Sequence, residues 1–242
     1  MGFFSKLLAD KQPNKYFAVV FQCPSDWDNG KDHDSATLHD KEKIKYLVDT
    51  KDNIRDFLAI CTENDNPYFR SAAMENAMRL IREDDSSLSK NDMDTLKLII
   101  KNDDNVYVYY IAMRYLMNTK EKQHIDFIKE IAVTSSSPKK RSTALFEMIF
   151  FSRYNVFFEV PLFIKERVLI DENNFIRREV VRYILRMNLD AGPNGFGLTE
   201  FAIQWVKYTG TESQMGACSP RIQQTTKDNK YFNGEERDLL II

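Results

Sequence analysis

The chain is poor in the residues that make turns, bridges and membrane spans. Its 242 residues hold only 8 Gly and 7 Pro, most of them in the first 30 or last 55 positions. The middle therefore lacks the turn chemistry a sheet requires and suits long helices. Cys23, Cys61 and Cys218 lie far apart and form no CxxC pair, which excludes a zinc ribbon and a disulfide framework. No apolar run has the roughly 20 residues needed to cross a bilayer. The N-terminal MGFFSKLLADKQ carries too short an apolar patch for a secretory signal, so a cytoplasmic location without membrane insertion is expected. Gly2 is followed by Lys6 where a myristoylation motif has Ser or Thr.

Histidine is scarce as well. A metal-dependent hydrolase of the HD class would draw on His33, Asp34, His39 and Asp40, but the only further histidine is His124. The loop DWDNGKDHD has the look of a calcium loop, yet Gly30 falls one place early and leaves Ser25 and Trp27 where carboxylates belong. AGPNGFG precedes a helix but follows no strand, so it reads as a helix stop and a turn, not a phosphate cradle. No nucleophile elbow and no Cys/His pair with a local signature occurs. No catalytic residue, metal ligand or cofactor is assigned.

What the chain does have is 43% hydrophobic and 29% charged residues, the balance of a globular protein. Its net charge of −2 hides an asymmetry: residues 21–105 sum to −7 and residues 106–190 to +4. Charge of this kind favours a partner that carries charge of its own.

One outline recurs. NPYFRSAAMENAMRLI, SSPKKRSTALFEMIF and ENNFIRREVVRYILRM each place a polar turn before a helical run. With Arg70 as reference, Val108, Arg141 and Arg177 follow at spacings of 38, 33 and 36 residues. Before each reference an apolar stripe steps by three and four: Ile54, Phe57, Leu58 and Cys61; Leu96 and Ile99; Ile125, Ile128 and Ala132; Ile164 and Val168. After each turn a second helix is expected, capped by Asn, Asp or Ser and opened by Pro67 or Pro138 in two cases. A lone hairpin leaves half its apolar surface wet, so successive hairpins should stack.

The turn Asn66-Pro67-x-x-Arg70, its echoes Pro138-x-x-Arg141 and Asn174-x-x-Arg177, and the small residues Ala72, Ala73 and Ala144 resemble the HEAT-repeat (armadillo-like) family over about residues 40–190. That resemblance implies that Arg70, Arg141 and Arg177 pair with acidic residues of neighbouring turns. The fold class expected is an all-α, right-handed solenoid of stacked antiparallel hairpins, with about four to five repeats. Residues 1–35 would form an N-terminal cap and loop, 36–190 the repeat domain, and 191–242 a C-terminal helix and tail, with the helix near Leu198–Tyr208.

In such a stack the second helices line the concave side. Positions one, five and nine after each reference give Ser71, Glu75 and Arg79; Tyr109, Met113 and Met117; Ser142, Phe146 and Phe150; Arg178, Arg182 and Arg186. The candidate partner-binding residues are Tyr109, Met113, Met117, Phe146, Phe150, Arg178, Arg182 and Arg186, since exposed aromatics, Met and Arg mark contact sites. Against this, Phe146 and Phe150 are equally readable as covered core, with the arginines in ion pairs to Glu179.

The function expected is a non-catalytic scaffold gripping a protein or peptide, an inhibitor or immunity-type protein being its tightest form. The alternative is nucleic-acid binding similar to the DNA alkylation-repeat glycosylases, supported by Lys139, Lys140, Arg141, Arg153, Arg177, Arg178, Arg182 and Arg186. The acidic N-terminal half and a pI near 6.0 stand against it.

Overall fold

Most of the helices begin where a short polar side chain satisfies a free amide of the first turn. In the computed structural model, which describes residues 37–51, 53–83, 88–152, 159–187 and 197–209, these starts delimit α1 (Leu38–Asp49), α2 (Ile54–Glu63), α3 (Pro67–Glu83), α4 (Lys90–Asn102), α5 (Val106–Thr119), α6 (Lys122–Thr134), α7 (Pro138–Ser152), α8 (Glu159–Ile170), α9 (Asn174–Met187) and α10 (Leu198–Thr209). No strand occurs among the described residues. Thr37, Asn53 and Ser89 cap α1, α2 and α4 by accepting the amides of Asp40, Asp56 and Asp92.

A single turn design precedes α3, α5, α7 and α9. Its first residue is Asn64, Asp103, Ser135 or Asp171, and the side-chain oxygen accepts the amide two residues on, at 2.8, 2.7, 3.3 and 2.9 Å. The residue that donates that amide, Asn66, Asn105, Ser137 or Asn173, then caps the following helix with its own side chain. The chain is thus turned by two polar side chains in relay, which is the work Gly performs in a glycine-rich protein.

Consecutive helices pack in pairs, α2 on α3, α4 on α5, α6 on α7 and α8 on α9. The second members also touch in series, α3 to α5 to α7 to α9, with α1 against α3 and α10 against α8 and α9. The stripes read from the sequence meet here: Phe57, Leu58, Cys61, Leu96, Ile99, Ile125, Ile128, Ala132, Ile164 and Val168 are all buried. They belong to one apolar cluster that runs from Phe57 in α2 to Val206 in α10. α7 sits between α5, α6, α8 and α9 and is buried on nearly every side. The helix expected near Leu198–Tyr208 is α10, and its Trp205 is buried. The cap expected over 1–35 and the tail after α10 lie outside the described residues, as do His33, Asp34 and the calcium-like loop.

Arginine ties the turns together as the resemblance implies, at two positions. Arg70 donates from Nε and Nη2 to Asp103 at 2.8 and 3.1 Å, from Nη2 to Asp104 at 2.8 Å, and from Nη1 to the carbonyls of Asn64 and Asp65. Arg141 donates to Asp171 from Nε and Nη2, both at 3.2 Å, and from Nη1 to the Ser135 carbonyl at 2.9 Å. Burial works against the charge of Asp171, but bonds from Arg141, the Asn173 amide and Arg167 outweigh it and hold the carboxyl below its usual range. Arg177 stays within its own hairpin, on Asn174 and the Leu169 carbonyl.

The capping residues correct the repeat register at α5. Arg70, Arg141 and Arg177 each lie four residues after their cap, and four after Asn105 comes Tyr109, not Val108. Where arginine is replaced by Tyr109, the turn that should answer it carries Ser135 in place of an aspartate, so both halves of the pair are missing together. Lys140 makes the tie instead: its ammonium lies 5.1 Å above the Tyr109 ring and donates to the Lys101 carbonyl at 2.7 Å.

Candidate functional site

With the register set by Tyr109, positions one, five and nine of α5 are Tyr110, Arg114 and Asn118, and the expected trio falls on the other side. Tyr109, Met113 and Met117 are buried at 1, 0 and 3% exposure, inside the continuous core. A one-residue shift turns a helix by about 100°, which carries each of these side chains from the proposed groove into the interior. Phe146 is also buried, its ring 4.8 Å from that of Tyr183 in α9. Phe150 is half-buried and meets Phe151 edge-on at 5.3 Å.

What occupies the corrected face is an arginine with a fixed seat. Arg114 of α5 donates from Nε and Nη2 to Oε2 and Oε1 of Glu147 in α7, both at 3.1 Å. Its guanidinium carbon lies 4.4 Å from the Tyr110 ring centre and 5.0 Å from that of Phe150. One edge is therefore taken by a carboxylate and two aromatic rings lie close by, while 25% of the side chain stays exposed. Glu147 keeps 1%. Burial raises the Glu147 carboxyl above the usual range, opposed by Arg114, and the same carboxylate keeps Arg114 charged against the pull of burial. Residues of α5 and α7 thus converge on this one cation.

Further along the face, Arg182 donates to Glu179, itself buried, at 2.6 Å. The sequence anticipated that ion pair. Arg178 is half-buried and has no hydrogen-bond or ion-pair partner among the described residues. Arg186 lies in α9, and its side chain is outside the described part of the structure. His124 at the start of α6 is buried, with Nδ1 2.7 Å from the Thr119 hydroxyl.

Arg114, Glu147, Tyr110 and Tyr183 were missed in the sequence because the phase of α5 was set on Val108. The signal that finds them is the cap: Asn66, Asn105 and Asn173 stand in the same place, and counting from Asn105 puts Arg114 on the face. The basic cluster that suggested nucleic acid is largely engaged within the protein, Arg141 on Asp171, Lys140 on the Lys101 carbonyl, Arg177 on its own turn and Arg182 on Glu179. No helix of the described residues is long and apolar enough to cross a membrane. Comparison with known proteins found no matching family model, no matching curated protein and no matching solved structure.

Proposed function

We propose that this chain is a HEAT-like right-handed α-solenoid of four hairpins, with α1 and α10 at its ends, and that it acts without catalysis as a module holding a protein or peptide on the face of its second helices. The relay turn repeated before α3, α5, α7 and α9, and the serial contact of these helices, support the stacked arrangement. The reading is carried by Arg114, held beside Tyr110 and Phe150 and anchored by Glu147 with a quarter of its side chain exposed. A guanidinium held this way has lost its rotamer freedom before a partner arrives, so binding costs it little entropy. Arginine beside aromatics at the centre of a patch is also the composition of interface hot spots.

Affinity capture with quantitative mass spectrometry tests the proposal. Wild type is compared with the double variant Phe150→Ala, Arg178→Ala, whose side chains are only half-buried. A protein retained by wild type and lost by a variant of unchanged helicity and Tm is the expected result. Equal retention of every wild-type partner overturns it.

A further inference from the structure

We propose that His124 and Thr119 form an acid-sensitive latch on the joint between α5 and α6, shut while the imidazole is neutral and released when the ring takes up a second proton. α6 starts on Glu121, whose carboxylate accepts from Gln123 Nε2 at 2.6 Å and bonds no amide of the first turn. The Thr119 hydroxyl makes the join instead. It donates to the Leu116 carbonyl in the last turn of α5 at 2.7 Å, receives the Glu121 amide at 3.4 Å, and lies 2.7 Å from Nδ1 of His124 in the first turn of α6. With its own proton given to Leu116, this oxygen can only accept from His124, so the neutral ring carries its proton on Nδ1. Between the two residues Lys120 is held at φ 58°, a left-handed conformation that strains any residue with a side chain. The latch is therefore shut against a small opposing force.

A second proton would go to Nε2, in a side chain only 2% exposed. Two charges act on the ring: Glu121 of the link favours the proton, and Lys97 of α4 opposes it. α5 presents the neutral Thr119 hydroxyl, and Lys122, beside the ring on α6, is paired with Asp126 and with Glu159 of α8. On α7, Lys140 is held by the Lys101 carbonyl, Arg141 by Asp171 and Glu147 by Arg114. Burial is the largest influence, and with Lys97 it outweighs Glu121, so the pKa lies below its ordinary value while the joint is shut. The amide end of α6 also disfavours a cation in its first turn. Turning the ring into water returns it to about 6.5. The shut form is thus fully favoured above that value and loses ground as pH falls through it, by up to about tenfold between pH 7.5 and 5.5. Opening breaks the bond to Thr119, frees the first turn of α6 and lets Lys120 relax.

Hydrogen exchange of the full chain tests the latch, read by mass spectrometry as protection relative to the intrinsic rate at each pH. Residues 119–125 should be less protected than α7 at both pH values, because the joint opens without the rest of the fold. Their protection should fall by up to about tenfold from pH 7.5 to 5.5 in wild type. His124→Asn, whose amide still donates to Thr119, should show no such fall. Glu121→Gln, at a position 52% exposed, removes the carboxylate that favours the charged ring and should deepen the fall; it decides the matter if His124→Asn folds poorly. Unchanged protection in wild type, the same fall in His124→Asn, or a shallower fall in Glu121→Gln overturns the latch. Protection of residues 119–125 equal to that of α7 also overturns it, since the joint would then open only when the whole fold does.

Discussion

At Glu147 the fold places a carboxylate with 1% of its side chain exposed and gives it one cation, Arg114. Desolvating two charges offsets most of what their attraction returns, so such a pair adds little net stability, but breaking one half strands the other. Arg114→Gln should therefore lower the unfolding free energy by about 3 kcal/mol. The Arg114→Gln, Glu147→Gln double variant should lose less than the sum of the two single losses. Urea denaturation of the four proteins measures the coupling, and strict additivity would show that the pair is not interacting. His124 gives a second test at this scale, by pH. The Thr119 hydroxyl donates to the Leu116 carbonyl at 2.7 Å, so its oxygen receives the proton of Nδ1, and Nε2 is bare in the neutral ring, 3.8 Å from Glu121. Burial lowers the pKa, Lys97 of α4 adds to this, and Glu121 opposes it. A histidine depressed in the folded state contributes stability that is complete above its unfolded pKa of about 6.5 and is lost as pH falls through that value. Between pH 7.5 and 5.5 the Tm of wild type should fall more than that of His124→Asn, whose amide keeps a donor for Thr119. Parallel pH profiles would clear His124 of any part in the decline.

Among the elements, the relay turns divide into strong and weak rungs, and the difference is measurable. Asp171 accepts from Arg141, from Arg167 at 3.0 Å and from the Asn173 amide at 2.9 Å. Removing it leaves Arg167 without its carboxylate and Arg141 with only the exposed Glu172 at 3.6 Å, the two side chains being 13 and 6% exposed. Asp171→Ala should cost about 3–5 kcal/mol. Ser135, at the same place in the α7 turn, accepts one amide at 3.3 Å, so Ser135→Ala should cost about 1 kcal/mol or less. Similar losses at the two sites would mean that the turns are held by packing, not by these bonds. The link between α5 and α6 offers the opposite sign. Lys120 ends α5 at φ 58°, the only non-glycine residue in the left-handed region among those described. A side chain there strains the backbone by about 1 kcal/mol that glycine avoids, so Lys120→Gly should raise Tm by about 2–4 °C. A fall in Tm would mean that the added freedom of the unfolded chain outweighs the strain. Helices and their pairing were legible in the sequence because apolar stripes and caps act locally. Phase was legible only where a stripe has a polar side: VYVYYIAMRYLM in α5 has almost none, and its phase is fixed by a hydrogen bond from the Tyr107 amide to Asn105. The burial of Phe146 was not legible for another reason, since α7 is covered by four other helices and no periodicity in its own residues records that.

Over the whole molecule, the decisive feature is a single apolar cluster from Phe57 to Val206, in a chain whose hairpins touch their neighbours in series. If the hairpins stack as proposed, they unfold together only where the interfaces between them are strong compared with the hairpins themselves. Here each hairpin has few residues and no disulfide among the described ones, and its apolar residues join those of its neighbours in one cluster. α7 is the hub, with Leu145 and Met148 at 0% exposure between α5, α6, α8 and α9. Leu145→Ala should cost about 2–5 kcal/mol through lost burial and a residual cavity. If the array is one cooperative unit, that loss must appear everywhere at once. Trp205, buried in α10 two helices beyond α8, reports the far end when Trp27 is replaced by Phe, and far-UV circular dichroism reports all helices. Urea transitions followed by the two signals should coincide in wild type and shift by the same amount in Leu145→Ala. Should helicity outlast the Trp205 transition, or should Leu145→Ala move one curve without the other, the second helices would be holding separate units, and the face they form would not be the rigid surface that a clamped Arg114 requires.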